Sequence, residues 1–290
     1  MSSNAKPIVS VICATYNHSP YLATCLNSIV GQETDFDIEI IVHDDASTDG
    51  TQDLILAYAR QYPQLIRPII QHQNQYSDTH KLRIELLEHA RGEFVAICDG
   101  DDYWGDPRKL SKQLRFLREH PECVLCYHDV CVVDERGETI KPAARSQNCN
   151  YSAKTLRVLG CGWLPLVSVM HRNVMMDAPP EFHLAPNSDH FLPVLLAPFG
   201  GAGYCPNVLP SAIRHHGGNV FSAQTASRRN TMRLRSYVQI ASYLLRIGEE
   251  QNAKTVIRTG VWKRFCRLGD EVKTLRTRAL RCFNTWLGPW

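Results

Sequence analysis

The sequence predicts an α/β protein with a mainly parallel central sheet flanked by helices. Three observations carry this. Apolar runs of strand length recur without alternation, which suits strands buried on both faces. Segments of about 10–13 residues at helical spacing stand between them, the rhythm of βαβ units. Polar clusters sit where three of those runs end, and parallel sheets bind ligands at the carboxyl ends of their strands.

The elements follow in order. Pro7–Tyr16 holds Ile8, Val9, Val11, Ile12 and Cys13, a buried strand that Asn17-His18-Ser19-Pro20 breaks. Tyr21, Leu22, Cys25, Leu26, Ile29 and Val30 recur at helical spacing, and Gly31 can end that helix. Ile38–Val42 is a second strand, running into Asp44-Asp45-Ala46-Ser47-Thr48-Asp49-Gly50. Ser47 or Thr48 can cap the helix that starts near Asp49. Ile66–Ile70 is a third strand, Leu82–Ala90 a helix, and Phe94–Cys98 a fourth strand running into Asp99-Gly100-Asp101-Asp102-Tyr103-Trp104. Pro107 opens another helix. Val124–Val133 reads as one strand, with Asp134–Gly137 as a hairpin turn. Val167–Met170 is strand-like, Asn187–Leu196 a helix capped by Asn187 or Ser188, and Asn207–Ile213 extended. His215–Asn219 is a loop, and the pattern beyond residue 222 is helical.

Composition narrows the function classes. Hydrophobic residues make up 44% and charged residues 21% of 290, a globular balance. The net charge of +3 gives no case for nucleic acid, but it hides a split. Residues 1–223 carry 18 Lys+Arg against 25 Asp+Glu, and residues 224–290 carry 14 against 4. An acidic body thus bears a basic tail, which suggests two jobs. The first residues show no charged segment before an apolar run, and no apolar stretch approaches about 18 residues, so the expected location is cytoplasmic. The 11 cysteines are scattered and sit in apolar runs, as reduced, buried thiols do. Cys123 and Cys126 have zinc-like spacing but lack a second pair. No Gly-rich phosphate-binding fingerprint occurs.

Asp99, Asp101 and Asp102 crowd three carboxylates at the end of an apolar strand. Like charges so close repel, and a hard divalent cation such as Mn²⁺ or Mg²⁺, shared with substrate phosphates, relieves the repulsion. An exposed Asp/Gly turn is the plainer alternative. The buried strand before it and the aromatic pair Tyr103-Trp104 after it favour the cation.

At these residues the chain resembles family 2 glycosyltransferases, the group with the GT-A fold. Three segments carry the resemblance. The first is Val9–Asn17 with Tyr21-Leu22 and Cys25–Ile29. The second is Glu39–Thr51. The third is Ala90–Trp104 with Asp106-Pro107, Lys109-Leu110 and Gln113. They cover about residues 8–127. A weaker likeness continues through Ser168–Arg172, Ser188-Asp189 and Arg214–Asn219.

The resemblance implies roles. Thr15, Tyr16 and Asp45 would hold the nucleotide base, Asp99 would lie near the ribose, and Asp101 would ligate the cation that bridges the diphosphate. Asp102 would be structural. Asp189 would be the base that deprotonates the acceptor hydroxyl, with inversion at the sugar; a plain helix-start charge is the alternative. Arg214 would contact the diphosphate and His216 the cation, from a loop that closes over them. Lys81 or Arg83 could also meet the nucleotide. The implied reaction moves a sugar from a nucleotide sugar, a UDP-sugar first, to a hydroxyl of a cell-surface polysaccharide or lipid-linked oligosaccharide. A catalytically silent nucleotide-binding or scaffold subunit is the alternative. A nucleotidyltransferase would need a Gly-rich loop where Thr15–Pro20 stands.

Residues 1–222 are expected to form the catalytic domain, the nucleotide half to about 105 and the acceptor half from about 106. Residues 223–290 are expected to form a basic helical extension. Within it Val261, Phe265, Leu268, Val272, Leu275, Ala279, Phe283 and Trp286 make an apolar seam among Lys and Arg. The seam at 261–287 suits docking on an anionic membrane, on a second subunit, or on its own domain. The first would place the protein peripherally on the inner face of the cell membrane.

Overall fold

The computed structural model describes residues 6–75, 86–143, 149–159, 164–174, 178–219 and 224–262. Its centre is a seven-stranded sheet. The strands are β1 (Val9–Thr15), β2 (Ile38–Asp44), β3 (Ile66–Ile70), β4 (Phe94–Ile97), β5 (Cys123–Tyr127), β8 (Met170–Arg172) and β9 (Gly201–Tyr204), in the order β3-β2-β1-β4-β8-β5-β9. Only β8 runs antiparallel to its neighbours, so the sheet is mainly parallel, as expected. β6 (Val130–Val133), β7 (Thr139–Lys141) and β10 (Ser211–Arg214) form a second sheet in the order β10-β6-β7.

The unalternating apolar runs have the predicted cause. Val9, Val11 and Cys13 of β1, Ile40 and Val42 of β2, and Phe94 and Ala96 of β4 face one layer. There they meet α1 (Ser19–Val30) through Leu22, Cys25, Leu26 and Ile29, α2 (Thr51–Gln61) through Ile55, and α3 (Lys109–Glu119) through Leu110, Leu114 and Leu117. The intervening residues Ile12, Ile41, Val95 and Ile97 face the other layer, against Leu156 of α4 (Ala153–Leu159) and Leu192 and Leu196 of α6 (Ser188–Leu196). Successive side chains of a strand point to opposite faces, so a strand between two helical layers must be apolar throughout.

The polar pair Ser10 and Glu39 inside the body is bonded. Ser10 donates to Glu39 at 2.6 Å and accepts from the Gly92 amide at 2.8 Å. Glu39 also takes the Arg91 amide and guanidinium. Burial pushes the Glu39 carboxyl up, and these bonds outweigh it and hold it below its usual value.

A third core joins the helices that follow residue 225 to the body. Phe182 of α5 (Pro180–Leu184) and Phe191 and Val194 of α6 pack with Tyr237, Ile240 and Leu244 of α7 (Ala226–Arg246) and Ala253 and Val256 of α8 (Glu250–Val256). Arg157 of α4 clamps this layer through Glu249, at 2.9 Å and 2.7 Å, and donates to the Val194 carbonyl at 2.6 Å. Of the expected seam, Val261 is described and is buried in this third core, while residues 263–290 fall outside the described residues.

Two expectations need correction. Val124–Val133 is two strands in two sheets, because His128-Asp129 turns the chain out of the central sheet and β6 pairs with β10. The α2 cap is not a Ser47 or Thr48 side chain. Gly50 stands at the cap position with φ of 93°, and both predicted residues bond across to another loop instead. The expected helix 82–90 is described only from Leu86.

Candidate active site

Register brings the polar strand ends together. β1 pairs Thr15 with Asp44 of β2, and the chain after β4 keeps pairing with β1 as the Gly100 amide donates to Ala14 at 2.9 Å. Thr15 is the hinge pin. Its hydroxyl donates to the His43 carbonyl at 2.9 Å and lies 3.1 Å from Asp44 Oδ1, while a Cβ on Gly100 would fall 2.5 Å from its methyl.

The two loops on the nucleotide side are knitted into one another. Asn17, at φ of 53°, accepts the Thr48 amide at 2.9 Å and donates its own amide to Ser47 at 2.8 Å. Asparagine tolerates that left-handed backbone. The His18 amide donates to Thr51 at 2.9 Å and the Ser19 amide to Asp49 at 3.0 Å. Asp44 is fully engaged with Ser47 and Gln52. Asp45 is 1% exposed and accepts the Gln75 amide at 2.7 Å, anchoring the chain after β3. Tyr16 lies beside them at 44% exposure.

The cation side is built on Asp101. Its Oδ2 meets His216 Nε2 at 3.1 Å, Asn219 Nδ2 at 2.9 Å and His18 Nε2 at 3.7 Å. Burial pushes the Asp101 carboxyl up, but the hydrogen bond from His216 and the nearby imidazoles outweigh it and hold it below its usual range. Asp102 goes the other way. Burial and the charge of Asp101 push it well up, against the Arg214 amide that donates to it at 3.0 Å. The turn therefore keeps Asp101 as the ionised member of the pair.

Arg214 pins this turn. It is 5% exposed, and its guanidinium donates to the carbonyls of Asp101, Asp134 and Glu135 at 3.0–3.1 Å. It lies 4.9 Å over Tyr21 and 5.6 Å over Tyr103. Tyr21 also packs on the His216 ring at 4.6 Å. Below, Lys109 lies 4.2 Å over the Trp104 ring and donates to Gln113 at 2.7 Å.

The structure thus gathers Asp101, His216 and Arg214 at one point and Thr15, Tyr16 and Asp45 beside it. Asp99 opens the turn, its carbonyl accepting from the Asp102 amide at 2.9 Å. Asp189 stands apart in the first turn of α6, half-buried and accepting the His190 amide at 3.0 Å. No hydrogen bond or ion pair among the described residues ties Asp189 to the Asp99–Asp102 turn. Lys81 and Arg83 lie outside the described residues. Sequence reasoning passed over His18 and Asn219. A histidine at a helix start has no ligand spacing to mark it, and Asn219 was only the end of a glycine loop.

One carboxylate oxygen and two imidazole nitrogens converging within 4.8 Å suit a divalent cation. His18 Nδ1 is buried without a hydrogen-bond partner, and 3.7 Å is too long for a hydrogen bond from its other nitrogen, so the ring's placement is explained by neither.

An α/β sheet of this order, with a carboxylate turn at the end of β4, is the GT-A fold of nucleotide-sugar enzymes. The chain belongs to glycosyl transferase family 2, whose model matches residues 10–161. Among curated relatives it is similar to the uncharacterized protein Rv1520 of Mycobacterium tuberculosis, 45% identical over 129 residues. That match covers 44% of this chain and 37% of Rv1520. It is also similar to TuaG of Bacillus subtilis, a putative teichuronic acid biosynthesis glycosyltransferase, 38% identical over 47% of this chain and 51% of TuaG. The chain thus matches about half or less of the length of these relatives. Its fold is similar to that of Staphylococcus aureus TarS bound to UDP-GlcNAc, with TM-score 0.61 and 19% identity over 88% of this chain and 72% of that one. It is also similar to the mannosyltransferase PcManGT of Pyrobaculum calidifontis with GDP-Man and Mn²⁺, with TM-score 0.53 and 19% identity over 98% and 84%. No helix among the described residues is long and apolar enough to cross a membrane.

Proposed function

We propose that the protein is an inverting glycosyltransferase that moves a sugar from a UDP-sugar to a hydroxyl of a surface polysaccharide or lipid-linked oligosaccharide. The observation that carries this is the Asp101–His216 contact at the carboxyl end of β4, beside the loops of Thr15 and Asp45. Family membership, the nucleotide sugars bound by TarS and PcManGT, and the putative role of TuaG in teichuronic acid biosynthesis support the reading.

Each residue has a task in it. Asp45 reads an imide N–H of the base through a carboxylate that also accepts the Gln75 amide. Thr15 and Tyr16 line that side, and Asp99 takes the ribose. Asp101 and His216 hold Mn²⁺ or Mg²⁺, which when bound neutralises charge on the departing diphosphate. Arg214 contacts the diphosphate and, through its bonds to the carbonyls of Asp101, Asp134 and Glu135, keeps the turn against β10. Asp189 takes the proton of the acceptor hydroxyl as its oxygen bonds to the anomeric carbon, while the bond from that carbon to the phosphate oxygen breaks on the opposite face. The basic segment from residue 263 holds the enzyme at an anionic membrane face.

The deciding experiment is UDP-sugar turnover with Mn²⁺ by wild type and Asp101→Ala. Turnover in wild type that the substitution abolishes supports the reading. Turnover untouched by it sinks the cation site, and wild type that binds UDP without turnover under any acceptor points to the silent subunit.

A further inference from the structure

We propose that His18 is a third protein ligand of the cation, so that the site is a set of two histidines and one carboxylate drawn from three separate segments. This rests on the cation reading given above and adds to it a residue from the start of α1.

The ligand atoms are already near ligand spacing. Metal bonds of about 2.1 Å put two ligands about 3.0 Å apart at a right angle and about 4.2 Å apart when opposite. Asp101 Oδ2 to His216 Nε2 is 3.1 Å and Asp101 Oδ2 to His18 Nε2 is 3.7 Å, both inside that interval. The three atoms lie within 4.8 Å of one another. The two imidazoles stand edge to face, with centroids 6.0 Å apart, so neither ring stacks on the other.

The fold spends several residues on placing His18. Its backbone amide is held by Thr51 of α2. Gly100 leaves the room its ring occupies, since a Cβ there would come 3.0 Å from His18 Nδ1 and 2.5 Å from the Thr15 methyl. Yet the ring so placed makes no hydrogen bond of ordinary length among the described residues. Its Nε2 faces Asp101 Oδ2 at 3.7 Å, too far for a hydrogen bond and within reach of a shared cation, while its Nδ1 lies on the Gly100 side.

His216 must change tautomer to join. The Gly218 amide reaches His216 Nδ1 at 3.2 Å, an arrangement that places the ring proton on Nε2, toward Asp101. Ligation through Nε2 moves that proton to Nδ1 and turns the Gly218 amide away. A Cβ on Gly217 would meet nothing within 4 Å, and its amide donates to Glu135 at 3.2 Å. Asn219 leaves Asp101 Oδ2 in the same movement.

Imidazole donors also set the choice of metal. Magnesium prefers an all-oxygen shell, whereas manganese and zinc accept nitrogen. Two imidazoles therefore favour Mn²⁺ over Mg²⁺.

The test is Mn²⁺ binding to the full chain without any donor, followed by calorimetry and by counting nitrogens coupled to Mn²⁺ with pulsed electron paramagnetic resonance. Wild type should show two coupled imidazoles, and His18→Ala one, with affinity at least about tenfold weaker. His18→Gln, which keeps the side chain's bulk, should lose the same nitrogen if the alanine variant fails to fold. The Mn²⁺ to Mg²⁺ preference should fall in both. Unchanged affinity and two nitrogens in the His18 variants, with binding lost in Asp101→Asn, overturn this proposal and leave the cation reading standing. Unchanged binding in Asp101→Asn and His216→Ala overturns the cation reading itself. Weaker UDP binding in His18→Ala at unaltered Mn²⁺ affinity makes His18 a phosphate contact and also overturns the proposal.

Discussion

Thr15 and Gly100 fit against each other so closely that no side chain can be added between them: a Cβ on Gly100 would stand 2.5 Å from the Thr15 methyl. This contact joins the end of β1 to the carboxylate turn. Gly100→Ala should cost about 1–3 kcal/mol, the usual penalty of overpacking. It should also push His18 and Asp101 apart. Urea unfolding measures the first effect and a Mn²⁺ titration the second. Wild-type values for both would show that the contact yields without consequence.

Asp189→Asn and His216→Ala should fail in different ways. Loss of a general base removes about 10²–10⁴ in turnover while leaving donor affinity near wild type. Loss of His216 should weaken both Mn²⁺ and donor binding, because its ring meets Asp101 directly. Donor KM and kcat measured separately distinguish them. A full-rate Asp189→Asn enzyme removes Asp189 from the chemistry.

Acid should destabilise the fold through two buried histidines. Burial pushes His171 of β8 down to about 4 and, with the nearby Lys109 charge, His128 down to about 3. Above about pH 6.5 both are neutral folded and unfolded, so nothing is lost. Below it the unfolded chain binds protons that the fold refuses, and stability falls until about pH 4 and about pH 3 respectively. His171 alone accounts for about 3 kcal/mol over that window. His171→Gln should flatten the slope of unfolding free energy between pH 6.5 and 4. An equal slope in the variant would refute this.

Arg157→Ala should loosen the C-terminal layer. Its guanidinium joins Glu249 and the Val194 carbonyl, and little of it is exposed. Glu249 is about a third exposed, so the loss should be about 2 kcal/mol, below the figure for a fully buried pair. Limited proteolysis should then cut between residues 224 and 262 before it cuts the β1–β4 body. Simultaneous cleavage of both would show that the clamp contributes nothing local.

Removing residues 263–290 should abolish flotation with anionic vesicles and leave UDP binding intact. Flotation that survives the truncation disproves the membrane role.

What could be read in the sequence followed from burial. β1, β2 and β4 lie between two helical layers, so their residues had to be apolar, and the runs were plain. β6, β7 and β8 are three or four residues long and show no period, which is why β5 and β6 merged into one expected strand. Ser47 and Thr48 have the chemistry of caps, yet long-range partners in the Asn17 loop claim them. Asp101 stood out because carboxylates cluster around it in sequence. His18 did not, because its neighbours in space come from residues 83 and 198 positions away.

The loops of Asn17 and Ser47 cross-link through Thr48, Asp49 and Thr51 before any nucleotide arrives. Their ordering is completed when the chain folds, so a donor docking there freezes little backbone. The Gly217-Gly218 turn differs, because its bonds run to His216, Asn219 and Asp101, the groups that a cation would engage or displace. Binding should thus be fast and nearly rigid on the base side, and the slower, salt- and metal-sensitive phase should report the diphosphate end alone. Two relaxation times in a stopped-flow trace would then correspond to two ends of one ligand.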